Sequence, residues 1–325
     1  MSNISLRPSR EQTIAATRIL DRFLQPSPLT QESGFSRMIQ ADVFVKYEFL
    51  NLVKSFKIRG ALNFVSKIAS SQEISRIITV STGNHGAAMA FACQQYKIPL
   101  TIGVPIGCDQ SKVKLIRQFG VELEFIGHDL DETKEIFRNR PFSEGAIFVE
   151  DGSCPEIFAG TSTIGWEIIQ QLPKTEVVIV PIGNGALIGG IGTVLKEFNP
   201  SIRVIGVQSE QAPCMALSFQ AGLPINTNSC DTFASGMAVR MAIPEAVTLM
   251  LEVVDEIVLV SELELKRSMG LFYCHTEYLL EGAGAAALAG ALKMKTSLQN
   301  KHVCLICSGA NIDQDLQEEI LQEHT

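Results

Sequence analysis

Four short segments of the chain bring together residue types that could do chemistry. The first is Ser55-Phe56-Lys57-Ile58-Arg59-Gly60-Ala61, where a lysine follows an aromatic residue and opens a helix-like stretch over residues 58–69. An amine flanked by apolar groups loses the solvation that favours its charged form, which frees it to attack an aldehyde. Taken alone, the segment has a commoner explanation, a lysine on a solvated helix face. The second segment, Thr79-Val80-Ser81-Thr82-Gly83-Asn84-His85-Gly86, reads as a strand, a turn and a helix start. Small hydroxyl, amide and glycine residues at such a start offer free backbone N–H groups to an anion. The plain alternative is an ordinary capped helix with Ser81 or Thr82 as the cap, and His85 by itself is equally a structural histidine.

The third segment is Val180-Pro181-Ile182-Gly183-Asn184-Gly185-Ala186-Leu187-Ile188-Gly189-Gly190, again between an apolar strand and a helix. Glycines there let the backbone approach a phosphate, and exposed N–H groups serve as donors without any basic side chain. No Lys-Ser/Thr pair follows, so it is not a nucleoside-triphosphate loop. A dinucleotide site is the closer competitor, but it wants an acidic residue at the end of the next strand. That strand ends at Gln208, with Glu210 two residues further. The fourth segment, Cys307-Ser308-Gly309-Ala310-Asn311, also follows an apolar run, and its serine gains weight only from the other three.

The elements that must position these segments alternate along the chain. Strand candidates cover residues 43–45, 77–80, 100–104, 121–125, 177–180, 204–207 and 303–306, with helix-like stretches such as 86–96, 112–119 and 163–171 among them. Such alternation predicts an α/β fold with parallel sheets covered by helices on both faces. In these folds the chemistry sits at the carboxyl ends of strands, where loops meet helix starts.

Composition narrows the partners. The chain has 325 residues, enough for about two domains, and is 46% hydrophobic and 19% charged. Its net charge of -8, with no cluster of Lys or Arg, argues against nucleic acid or an anionic membrane as the main partner. Residues 1–18 are polar and mixed, unlike a signal peptide. Residues 177–195 are uncharged and as long as a membrane span, but Pro181, Asn184 and the glycines read better as strand, loop and helix start. The eight cysteines are expected to be reduced in a cytoplasmic protein. Cys304 and Cys307 have a C-x-x-C spacing inside an apolar run, read as a buried strand, since no second ligand pair appears for a metal.

Together, and in this order, the four segments resemble the fold-type II pyridoxal-phosphate enzymes, in particular the threonine/serine dehydratases and serine racemases. The resemblance runs from Pro26-Ser27-Pro28-Leu29 to Asn311. It implies a two-domain, tryptophan synthase β-like fold with parallel-rich open twisted sheets. A large cofactor-binding domain would comprise residues 1–70 and 150–325, and a small domain, residues 71–149, would close over the site. Pyridoxal 5'-phosphate is the implied cofactor, bonded through its aldehyde to Lys57, with Phe56 packed near the ring. Asn84 would hydrogen-bond the ring hydroxyl, Ser308 would face the pyridine nitrogen, and Gly183, Asn184, Gly185, Ala186 and Leu187 would hold the phosphate. Ser81, Thr82, Asn84 and His85 would receive the substrate. Glu281 matches a segment lining the pocket, with a surface carboxylate as the alternative. The implied reaction is β-elimination, in which L-threonine or L-serine loses its β-hydroxyl and yields a 2-oxo acid and ammonia. The alternatives are a serine or aspartate racemase, a dehydratase of another β-hydroxy amino acid such as 3-hydroxyaspartate, and, further off, a β-replacement synthase.

Several positions depart from the family pattern. Thr82 stands where racemases carry a second serine and many dehydratases an alanine, which puts racemisation in doubt. Ala87 replaces a common glutamine. Gln208 and Cys214 replace two carboxylates that hold a divalent cation in some relatives, so no metal site is expected. Ser235 replaces an aspartate, and Gly160-Thr161-Ser162-Thr163 departs from a Gly-Gln-Gly-Thr pattern, which points toward a substrate other than threonine. With little chain after Ser308, a catabolic enzyme without a regulatory domain is expected, as a homodimer or homotetramer acting on a small amino acid.

Overall fold

The apolar runs become ten strands among the described residues of a computed structural model, which describes residues 5–71, 74–108 and 110–324. Residues 1–4, part of the polar N-terminus, and 72–73, just past the boundary drawn at 70, lie outside the described residues. The strands are β1 (Leu29–Gln31), β2 (Asp42–Tyr47), β3 (Arg76–Val80), β4 (Leu100–Val104), β5 (Glu122–Phe125), β6 (Ala146–Val149), β7 (Val177–Pro181), β8 (Arg203–Ser209), β9 (Glu256–Val260) and β10 (His302–Cys307). They form a six-stranded sheet in the order β1-β2-β10-β7-β8-β9 and a four-stranded sheet in the order β5-β4-β3-β6. Every ladder is parallel except β1 with β2.

Alternation of side chains across the large sheet divides the core. Val178, Val180, Val204, Cys304 and Ile306 face one apolar cluster, which continues into the small sheet through Ile77, Ile102 and Val104. Val177, Ile179, Ile205, Val207, Val303, Leu305 and Cys307 face the other. This period of two, with both faces covered, is why central strands read as continuous apolar runs. The C-x-x-C pair is accordingly a buried part of β10, and both thiols are free. Residues 177–195 resolve into β7, a loop and the helix Ala186–Phe198, and no described helix is long and apolar enough to cross a membrane.

Three strands were not foreseen: β1, β6 and β9. The helix expected over 163–171 begins eight residues earlier, as Pro155–Gln171, with proline in its first turn. The Gly160–Thr163 stretch is therefore helical and buried. Thr161 Oγ1 donates to the Ala186 carbonyl, at the end of the glycine loop, over 2.8 Å. Ser162 Oγ lies 2.8 Å from Thr13 Oγ1, so it faces the first helix. A Cβ on Gly160 would meet the Arg59 carbonyl at 2.5 Å, so the missing side chain lets this helix cross closely over the helix Lys57–Ser71. That crossing fixes the helix that starts at Lys57.

Candidate active site

The chemistry-bearing segments all follow carboxyl ends of parallel strands, the position expected of a site in such a sheet. Lys57 opens its helix ten residues after β2 ends, Ser81 follows β3, the glycine loop follows β7 and Ser308 follows β10. The Lys57 segment is pinned to the late serine by backbone contacts. Ser55 forms a bridge with Gly309, and Phe56 N–H donates to the Ser308 carbonyl over 3.0 Å.

Lys57 is not on a solvated face. Its Nζ lies 5.0 Å from the centre of the Phe56 ring and pairs with Asp151, the two side chains each being only 16% exposed. Asp151 lies in the turn after β6, a strand the sequence did not disclose, so sequence reasoning missed the residue. The available signal was the short apolar run Ala146-Ile147-Phe148-Val149, followed by an acidic pair and a glycine. Burial pushes the Asp151 carboxyl up, but the adjoining Lys57 ammonium, then His85 and the Asn184 amide, outweigh it and hold the group down at about 2.

Asn84, the first residue of the helix Asn84–Tyr96, points into a polar cluster. Its Nδ2 donates to Glu281 Oε1 over 2.8 Å, and its Oδ1 accepts from Asn311 Nδ2 at 2.7 Å. Glu281 is buried rather than on the surface. Burial raises its carboxyl to about 7, against hydrogen bonds from Asn84 and the Asn311 backbone. A Cβ on Gly309 would collide with Glu281 Oε1, so the chain after Ser308 closes onto this carboxyl. Ser308 is 3% exposed, and its hydroxyl donates weakly to the Ala283 carbonyl at 3.4 Å.

The Ser81 turn is built around one hydroxyl. Ser81 Oγ accepts from Gly83 N at 3.2 Å and Gly86 N at 3.0 Å, which leaves its hydrogen as the donor it offers. Apart from that Ser81 bond to Gly86 N, the helix start has no side-chain cap, its N-cap being Gly83. No acidic residue occupies its first turn, so a partial positive charge faces the site. Thr82 is half-buried in the turn. His85 points inward. Thr79 Oγ1 donates to the Val149 carbonyl, so His85 Nε2 donates to Thr79 Oγ1 at 3.0 Å. Burial pushes this imidazole down to about 4, which keeps it neutral near pH 7.

The glycine loop leads into a second helix, Ala186–Phe198, whose N-cap is Gly185. Gly185 has φ 95°, a left-handed conformation suited to glycine. A Cβ on Gly183 would meet the Gly236 carbonyl at 2.5 Å. Asn184 Oδ1 accepts from Ala186 N at 3.2 Å, and no basic side chain enters the loop. Backbone donors and a helix dipole are thus the local supply of positive potential, which suits a phosphate. With a lysine amine on one side and a neutral hydroxyl, Ser308, on another, this donor set fits pyridoxal 5'-phosphate. Lys57, residues 183–187, Asn84 and Ser308 are the groups that could hold it. At the position weighed for a divalent cation, Gln208 Oε1 accepts from Ala216 N at 2.9 Å and Glu210 pairs with Lys293. Among the described residues no three His, Cys, Asp or Glu side chains group as metal ligands.

Comparison with known proteins agrees with this geometry. Residues 20–309 match the family described as pyridoxal-phosphate dependent enzymes. The L-threonine ammonia-lyase of Thermotoga maritima is 33% identical over 308 residues, covering 95% of this chain and 77% of that one. The catabolic L-threonine dehydratase TdcB of Escherichia coli K12 is 34% identical over 305 residues, covering 93% of each. The structure of maize serine racemase superposes with a TM-score of 0.91 at 25% identity, covering 98% of each chain.

Proposed function

The chain belongs to the pyridoxal-phosphate dependent enzymes, and from that premise we propose that it is a lyase removing water and ammonia from L-threonine or L-serine to leave a 2-oxo acid. Its cofactor is pyridoxal 5'-phosphate. When bound, that group supplies an aldehyde that condenses with amines and a ring that accepts electron density from the substrate α-carbon. Lys57 is the residue proposed to hold it. Once its amine is free again, Lys57 is also placed to remove the α-proton. Ser81, Thr82, Asn84 and His85 form the turn proposed to take the substrate carboxylate, Ser81 through its hydroxyl and the others through the helix start. His85, neutral and bonded to Thr79, orients that turn. Ser308 would offer a neutral hydroxyl rather than a carboxylate to the pyridine nitrogen, which would limit withdrawal of charge into the ring and favour prompt loss of the β-hydroxyl. The observation that supports the reading is the approach of Lys57 to the glycine loop across Asp151, which sets a lysine amine beside a helix start suited to a phosphate.

Residues 1–70 and 150–325 are proposed as the large domain and 71–149 as the small one that closes over the substrate, a division supported by the four-stranded sheet lying wholly within residues 76–149. A homodimer or homotetramer in the cytoplasm fits the eight free cysteines and the family. Racemisation stands as a second reading because the maize serine racemase shares the fold, with the bulkier Thr82 counting against it. A panel of amino acids assayed in parallel for 2-oxo acid and for the opposite enantiomer separates the two. We expect L-threonine or L-serine to release 2-oxo acid faster than any enantiomer accumulates. A D-amino acid appearing first would make the enzyme an isomerase, and condensation with an added thiol without ammonia would make it a synthase.

A further inference from the structure

One carboxylate in the site, which holds the Lys57 amine, is given no contact with the substrate in the elimination described above. Asp151 pairs through Oδ2 with Lys57 and is approached by the Asn184 amide, while its Oδ1 is shut off from solvent and makes no hydrogen bond of its own. A buried, ionised oxygen without a donor is costly, so a ligand that brings one is favoured there. Lys57 is the amine proposed to reach the substrate α-carbon, and Asp151 touches that amine. Whatever the β-carbon carries therefore stands close to the carboxylate, in a space too dry for water to screen the two fully.

Resting on the lyase reading, we propose that Asp151 reads the substrate's β-substituent, admitting side chains that donate a hydrogen bond, whether a neutral hydroxyl or a cationic amine, and rejecting anionic ones. The surrounding charges agree. His85 acts on Asp151 only in acid, where its imidazole is charged, and is neutral near pH 7. Glu281 adds a second acidic group coupled to Lys57. Lys134 acts electrostatically on His85, whereas the charged partner in contact with Asp151 is Lys57. An acidic side chain would thus compete with Asp151 for one ammonium, while a hydroxyl would satisfy Oδ1 directly.

The test compares kcat/KM for L-serine, L-threonine and 3-hydroxyaspartate in the wild-type holoenzyme, Asp151→Asn and Asp151→Glu. Dissociation constants for L-alanine and L-aspartate, which have no β-leaving group, are measured by calorimetry on the same proteins. Removing one charge at near-constant shape should improve 3-hydroxyaspartate relative to threonine, and aspartate relative to alanine, by about tenfold or more in Asp151→Asn. Asp151→Glu, which keeps the charge, should keep the wild-type ranking. Unmoved ratios in Asp151→Asn, or a wild type that prefers 3-hydroxyaspartate to threonine, would overturn the proposal. Absence of 2-oxo acid from every substrate would defeat the lyase reading instead, and the alanine–aspartate comparison would still decide the role of Asp151.

Discussion

Lys57→Ala is expected to lower 2-oxo acid release from threonine or serine by about 10³-fold or more, since one side chain is asked both to attach the cofactor and to move the α-proton. Both tasks need an amine at one point in space. The backbone supplies that point through Phe56 N–H on the Ser308 carbonyl and the Ser55–Gly309 bridge. Asp151 and the Phe56 ring then hold the amine toward the glycine loop. Alanine at a helix start leaves the fold in place, so the variant should unfold cooperatively while losing covalent attachment of the cofactor. Activity is followed by keto-acid release and attachment by absorbance of the reconstituted protein. Retention of more than about a tenth of wild-type activity would mean that another group does the work.

Arg59→Leu should destabilise the apoprotein by about 3–5 kcal/mol, the usual cost of stripping one partner from a buried ion cluster. Arg59 is two residues from Lys57 and 3% exposed. Its Nε donates to Glu48 Oε2 at 2.7 Å, and its terminal nitrogens donate to Glu167 Oε1 at 2.6 Å and Oε2 at 2.9 Å. Lys46, fully buried, reaches Glu167 Oε2 at 2.5 Å and the Ser27 carbonyl at 2.7 Å. Two cations thus balance two carboxylates. Leucine would leave Glu167 with Lys46 alone and Glu48 with no cation in contact, both in the core. Burial acts to raise the Glu167 carboxyl, but Arg59 and then Lys46 hold it below its ordinary range. A depressed folded-state pKa contributes stability that is present above the unfolded carboxylate range and lost as pH falls through the folded value. The variant should therefore also begin acid unfolding at a higher pH than the wild type. Urea unfolding of the cofactor-free protein at several pH values reads both effects, and a loss below about 1 kcal/mol would show that the cluster contributes little.

Much of the fold was legible because central strands buried on both faces announce themselves as apolar runs, as Val177–Pro181 and His302–Cys307 do. The strands that escaped notice, β1, β6 and β9, all lie at sheet edges. One of them is three residues long; the other two do carry short apolar runs, Ala146–Val149 and residues 257–260, but are mostly half-buried and shorter than the central strands' runs, so they stand out less. The site divides in the same way. Lys57, Asn84, the glycine loop and Ser308 stand in recognisable local patterns, each a strand end meeting a turn. Asp151 acquires meaning only from a partner 94 positions away, and the Glu281–Asn84 bond spans 197. Pairings of that kind are made by folding two sheets against each other and leave no mark in local spacing.

Covalent attachment at position 57 is the claim on which everything else depends. Borohydride reduction of the reconstituted enzyme, followed by proteolysis and mass mapping, tests it directly. The account predicts a phosphopyridoxyl group on the peptide containing Lys57 and on no other. A label on a different lysine, or no label at all in protein that has taken up the cofactor, would contradict it.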